Sequence, residues 1–481
     1  MLRRILVVLA AAAPIGAATT ILDTFDAMTV TQPASLCTVS LVPARTGNGI
    51  QLAWQTGSKS LYAGVAAGNG SAAWDSAAGI SFWVKGDGSD HLGAIEFIWN
   101  GDYAQRYAAA FRIDSTAWTK VMIPWSDVLP EVSNAGNVPL DPAGVHKPSL
   151  LQSMAFGKWW YWRDDLACTY IVDDFALEST IIQDTNFYRP SGSPLARVRA
   201  KLQAGQPISV VTMGDSLTDY LHNSNTTTNW PTYFRNGALS TYSCTATVVN
   251  PAIGGTTLRA NVVMLPKWTQ ITTTPDLVTI FFGGNDWGTI GAVPPDGIRG
   301  PQFRLVIADA IRRVRRATLG TADVMVMTTC PMDVQWDTMA ELADAGRLAA
   351  ADENAGVCDI WNVFHTYGST HSQLFASDQV HLSSTGQQVV ATAVLNAINA
   401  GGGTTTGTTT GTPTSTSGSG TSGTSGTSTS TSSGSTTSGV TGGTGTVTDT
   451  GGTGSTTCGL GGGLASLLTL ATLACARRRR R

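Results

Sequence analysis

Val211-Thr212-Met213-Gly214-Asp215-Ser216-Leu217-Thr218-Asp219 closes an apolar run that begins at Pro207 and stops at a glycine. Such a run reads as a buried strand, and its end delivers a serine. Downstream, strand-like runs near 245–250, 277–282, 322–328 and 356–361 alternate with helix-like stretches near 230–240, 257–270, 301–317, 336–353 and 384–399. Alternation of this kind predicts a parallel sheet with helices on both faces. Ligands of such sheets bind outside the carboxyl ends of the strands, which is where the serine falls.

A serine hydroxyl is a poor nucleophile unless a base lies within hydrogen-bond reach and donors face the oxyanion that forms on the attacked carbonyl. The candidate base is His381, three residues after Asp378 in Ala376-Ser377-Asp378-Gln379-Val380-His381-Leu382, just before the helix-like run Gln387 to Ile398. Candidate oxyanion donors follow two apolar runs. Ala246 to Asn250 leads into Ile253-Gly254-Gly255-Thr256, and Leu277 to Phe282 leads into Gly283-Gly284-Asn285-Asp286. The first offers a backbone N–H and the second a side-chain amide.

Gly-Asp-Ser-Leu, Gly255 after Asn250, Gly-Gly-Asn-Asp and Asp-x-x-His, in that order and each after an apolar run, resemble the SGNH (GDSL) hydrolase family over roughly Ile182 to Ala400. The Gly-x-Ser-x-Gly elbow of the α/β-hydrolases does not occur. The resemblance implies a flavodoxin-like, three-layer α/β domain. It further implies Ser216 as nucleophile and as oxyanion donor through its own N–H, Gly255 and Asn285 as the other donors, and His381 as base with Asp378 behind it. Asp215, Asp219 and Asp286 are expected to hold loops through backbone hydrogen bonds. His365 and His371 have no acid three residues before them and are assigned no role, whereas Trp287 and the loop 288–300 are expected to wall the cleft.

From Thr20 to Ser179 short alternating runs, among them Gly49–Trp54, Gly79–Val84, Ala94–Trp99, Lys120–Pro124 and Tyr170–Leu177, are separated by turn residues and predict a β-sandwich. Leu22 to Asp26, Trp83 to Gly88, Ile123 to Asp127 and Val172 to Phe175 resemble the galactose-binding-like jelly rolls found among carbohydrate-binding modules. Trp159, Trp160, Tyr161 and Trp162 are candidates for stacking on sugar rings, with core packing as the competing reading, because strand residues alternate in direction. Asp23, Asp26, Asp173 and Asp174, at the two ends of the sandwich, are candidate ligands for a structural Ca²⁺.

The formal net charge is −3, so no basic field points to nucleic acid. Residues 1–18 read as a signal peptide: Arg3 and Arg4 precede an apolar core, and Gly16-Ala17-Ala18 forms a small-residue cleavage site. Residues 19–180 are assigned to the sandwich, 181–204 to a connector, 205–400 to the hydrolase domain, 401–457 to a Thr/Gly/Ser-rich linker and 458–481 to a C-terminal sorting or membrane-anchor segment ending in five arginines. Membrane contact is therefore expected only through that tail. Export permits disulfides, and Cys37 and Cys168, near the two ends of the sandwich, form the plausible pair.

These readings converge on an exported bacterial serine esterase, secreted or held at the cell surface. It would deacetylate a polysaccharide that the sandwich helps to hold, and the mechanism needs no cofactor. The alternatives are a lipase or phospholipase with the same constellation and a non-catalytic carbohydrate-binding surface protein. The acyl group, the sugar and the oligomeric state are left open.

Overall fold

A computed structural model describes residues 18–32, 36–57, 61–65, 69–131, 138–158, 166–222, 228–265, 275–288 and 297–401. Residues 1–17, the aromatic run Trp159 to Trp162, residues 289–296 of the loop 288–300, residues 402–457 of the linker and the tail lie outside them. Among the described residues no helix is long and apolar enough to cross a membrane.

The described residues of the N-terminal half form twelve strands: β1 (Thr19–Asp23), β2 (Val30–Gln32), β3 (Cys37–Pro43), β4 (Asn48–Trp54), β5 (Leu61–Val65), β6 (Gly79–Lys85), β7 (Leu92–Trp99), β8 (Asp102–Arg112), β9 (Thr119–Pro124), β10 (Leu129–Pro130), β11 (Leu151–Lys158) and β12 (Cys168–Glu178). One antiparallel sheet runs β3-β4-β12-β6-β9, with β1 also on β12, and the other runs β10-β8-β7-β11-β5-β2. The period of two sends Ile50, Leu52 and Trp54 of the first sheet into one core with Ile95, Phe97, Tyr107 and Phe111 of the second. Phe82 holds that core together, edge to face with both Phe111 and Phe156 at 5.0 Å.

The expected Cys37–Cys168 disulfide does not form; both residues are free thiols. In the registers of β3 and β12 each lies opposite the same residue, Trp54, from opposite sides of β4. Two strand spacings, about 9–10 Å, then separate their Cα atoms, which is beyond the reach of a disulfide.

The C-terminal half builds a parallel sheet of β13 (Ile208–Gly214), β14 (Ala246–Val249), β15 (Leu277–Phe281), β16 (Asp323–Met327) and β17 (Gly356–Cys358), in the order β14-β13-β15-β16-β17. Alternate residues feed two cores. Val211, Val278, Ile280 and Val326 pack under the helices Leu258–Val263, Gly300–Ala317 and Ala340–Glu353. Val210, Leu277, Phe281 and Met327 pack under Ala196–Gln203, Trp230–Tyr242 and Ser384–Asn399. This is the expected three-layer, flavodoxin-like order. The expected strand at 356–361 ends at Cys358, and a helix, Ile360–His365, starts where Asp359 accepts from the N–H of Asn362.

The two halves share a seam. Leu92, Ala94, Ala108 and Leu129, on the outer face of β7, β8 and β10, belong to the same apolar cluster as Val262, Val263 and Met264. At its edge the Arg313 guanidinium donates to Asp127 at 2.7 Å and to the Ser126 carbonyl at 2.8 Å. The described residues fall within one compact unit.

Candidate active site

Ser216 lies two residues past the end of β13 and is half-buried. The preceding glycine is required by packing, since a Cβ on Gly214 would come within 2.3 Å of Thr218 Oγ1. Asp215 Oδ1 accepts from the N–H of Leu217 and shapes the turn. Burial pushes the Asp215 carboxyl up to about 6, against the hydrogen bond from Leu217 and the nearby His381.

His381 Nε2 lies 3.0 Å from Ser216 Oγ, and its Nδ1 lies 2.6 Å from Asp378 Oδ2. The loop that carries both is a tight turn. Phe375 and Leu382 form a bridge, Ala376 N donates to the His381 carbonyl at 2.7 Å, and Asp378 Oδ1 accepts from the N–H groups of Val380 and His381. Burial would raise the Asp378 carboxyl, but its hydrogen bonds from the His381 ring and from those two N–H groups outweigh this and hold it below the ordinary aspartate range. An ionised carboxylate here fixes the Nδ1–H tautomer and leaves Nε2 as the acceptor facing the serine.

The glycine loop after β14 is tied to the serine turn at three points. Asn250 Nδ2 donates to the Thr218 carbonyl at 2.6 Å, Ile253 N to the Gly214 carbonyl at 3.2 Å and Gly254 N to Asp219 Oδ2 at 2.7 Å. Gly255 has φ +75°, and a Cβ there would meet nothing within 4 Å, so the loop presents bare backbone to open space. Asn285 Nδ2 lies 3.2 Å from the Thr256 carbonyl and 3.4 Å from Asp215 Oδ2. Its amide thus stands between the neighbour of Gly255 and the neighbour of Ser216. Asp286 is fully buried, and both its oxygens accept from Leu258 N, at the start of the helix that follows Gly255. All three predicted loop-holding aspartates therefore bond backbone. Asp286 in addition carries a carboxyl pushed up to about 8, chiefly by burial.

Some expected positions lie elsewhere. Trp287 is buried in the apolar core, with Arg299 over its ring at 5.5 Å, and does not wall a cleft. His365 and His371 stack on Trp336, with ring centroids at 4.4 and 4.0 Å, and contact Asp337 and Asp333. The four acids read as Ca²⁺ ligands have other partners. Asp23 accepts from Phe25 N, Asp26 from Asn48 N and Asp173 from Thr46 N, while Asp174 pairs with Arg45. Among the described residues no group of three or more His, Cys, Asp or Glu is arranged to hold a metal.

One residue was passed over. His222 packs its ring against His381 at 4.8 Å, with the planes 38° apart. Its signal was present in the sequence: Asp219-x-x-His222 repeats the spacing of Asp378-x-x-His381 six residues after the serine.

The parallel sheet with this constellation at the carboxyl ends of its strands defines an ester hydrolase. Residues 212–389 match the GDSL-like lipase/acylhydrolase family, and residues 21–136 match the carbohydrate binding domain of family 11. The chain therefore carries a GDSL-like catalytic domain behind a carbohydrate binding domain. No curated protein matches the chain significantly. Among solved structures, a lipase/acylhydrolase from Enterococcus faecalis is similar at 21% identity, covering 40% of this chain and 96% of its own, with a TM-score of 0.34. The acetylxylan esterase Axe2 from Geobacillus stearothermophilus is similar at 20% identity, covering 41% and 96%, with a TM-score of 0.34.

Proposed function

We propose that the chain is an exported serine esterase that removes acetyl groups from a polysaccharide. The observation that carries this reading is the hydrogen-bonded line from Asp378 through His381 to Ser216, at 2.6 and 3.0 Å. Ser216 Oγ attacks the ester carbonyl carbon while His381 Nε2 takes its proton. The N–H groups of Ser216 and Gly255 and the Asn285 amide receive the charge on the carbonyl oxygen. The bond to the alkoxide then breaks, His381 returns the proton to the leaving oxygen, and the acetyl group stays on Ser216. Water repeats the sequence, releasing acetate and restoring the serine hydroxyl. These steps need no metal or organic cofactor.

The carbohydrate binding domain supports a carbohydrate as the alcohol part of the ester, since holding a polymer raises the local ester concentration. Residues 1–18 serve as the export signal in this reading, and 401–457 as a linker to a sorting or anchoring segment at 458–481. Acetate release from acetylated xylan and acetylated pectin, set against fatty-acid release from long-chain esters, tests the assignment in the full chain and in Ser216→Ala. Acetate release that disappears in Ser216→Ala is expected. Preferential release of long-chain acids would favour a lipase, and release by Ser216→Ala at the wild-type rate would end the serine mechanism.

A further inference from the structure

Asp378 and His381 sit on a turn that is exposed along its tip, from Ala376 to Gln379, and enters the core through Phe375 and Leu382. Gln379, between the two, has φ +62°, in the left-handed region that an L side chain disfavours. An exposed turn with such a residue in it needs a hold from outside, since a small shift there carries Asp378 out of line with the His381 ring.

The loop after β16 supplies that hold. Asp333 N donates to the Gln379 carbonyl at 3.0 Å. The Asp333 carboxylate is in turn fixed by two side chains: its Oδ1 lies 2.9 Å from His371 Nε2 and accepts from Ser372 Oγ at 3.1 Å. His371 is itself seated, with Nδ1 2.6 Å from the Gly368 carbonyl and its ring stacked on Trp336, centroids 4.0 Å apart and planes at 21°. Trp336 also stacks on His365 at 4.4 Å and meets Phe375 edge to face at 6.1 Å. One indole thus touches both the brace and the root of the turn.

We propose that His371 is a positioning residue for the reaction: seated on Trp336, it fixes Asp333, and Asp333 holds the Gln379 carbonyl so that Asp378 stays in line with His381. This rests on the assignment of Ser216, His381 and Asp378 given above. His371 acts through the turn rather than on the substrate. Proton transfer by an oriented imidazole is lost quickly as the reacting groups drift apart, whereas binding of the ester is little affected, so loosening the turn appears in kcat rather than in KM.

The test uses the full chain and 4-nitrophenyl acetate, at a temperature where melting curves show every variant folded. His371→Ala removes the brace and should lower kcat about ten- to a hundredfold while KM changes less than about twofold. His371→Gln keeps an N–H for Asp333 and a flat group on Trp336, and should recover most of that loss. Glycine adopts the left-handed conformation without a steric penalty, so in a Gln379→Gly background His371→Ala should cost about threefold less than in the wild type. Wild-type kcat in His371→Ala would overturn the proposal. So would equal losses in His371→Ala and His371→Gln, or an equal loss in both backgrounds, which are the results of a merely structural role. Asp378→Asn is measured beside them. A loss there with none in His371→Ala overturns the positioning role alone, whereas wild-type kcat in Asp378→Asn overturns the line from Asp378 to His381 together with it.

Discussion

The amide of Asn285 is held between Asp215 and Thr256, and the 3.4 Å contact to Asp215 is too long to hold its hydrogen firmly, which leaves that hydrogen free to turn toward a developing oxyanion. An interaction that strengthens only as charge develops is lost from kcat rather than KM. Asn285→Ala should lower kcat by about a hundred- to a thousand-fold. An unchanged kcat with a raised KM would place Asn285 in ground-state binding. Asp286 makes a different prediction, on stability. Its carboxyl is raised to about 8 in the folded chain, mainly by burial, against an ordinary 3.8. Between those values the folded state holds a proton that the unfolded state has lost, so stability falls as pH rises through the window. Asp286→Asn cannot ionise yet keeps a carbonyl for Leu258 N, so its melting temperature should decline less than the wild type's from about pH 5 to about pH 8. Parallel declines in melting scans would contradict the assignment.

The turn after β14 is where backbone geometry meets chemistry. Gly255 sits at φ +75° with open space beyond it, so Gly255→Ala meets no protein atom but forces an L-residue into the left-handed region, at a cost of about 1–2 kcal/mol. The added methyl also projects toward the substrate side. kcat/KM should therefore fall more for butyryl than for acetyl esters, and an equal fall on both would show that backbone strain alone acts. Most of this arrangement could be read from residues. Four short motifs each followed an apolar run, and strand ends in a parallel sheet converge on one edge; Ser216, Gly255 and Asn285, named from the residues alone, lie after such ends, and His381 reaches Ser216 from the last loop. The misses have physical causes. β8 carries Tyr107-Ala108-Ala109-Ala110-Phe111, whose alanines have weak strand preference and hide the alternation; their small size suits the seam that covers them. The helix Ile360–His365 follows β17 without a glycine or proline break, so its apolar residues read as a longer strand. The cysteine pairing failed because chain position says nothing about which strand lies between.

The seam makes the sandwich a support for the catalytic half as well as a candidate holder of polymer. The helix Leu258–Val263 begins three residues after Gly255, and its far end lies against Leu92, Ala94, Ala108 and Leu129. A charge forced into this seam should disturb the oxyanion loop as well as stability. Ala108→Arg, at a fully buried position, should lower both the melting temperature and kcat on a small soluble ester, where polymer binding has no part. A lower melting temperature with wild-type kcat per active site would show that the two halves work independently. The account of the molecule rests above all on an acyl group carried by Ser216 between two half-reactions. Mass spectrometry of the full chain, acid-quenched during turnover of 4-nitrophenyl acetate and digested, tests this most directly. One acetyl group should appear on the peptide containing Ser216, and none in Ser216→Ala. Full turnover with no adduct there, or with an adduct on another residue, would contradict it.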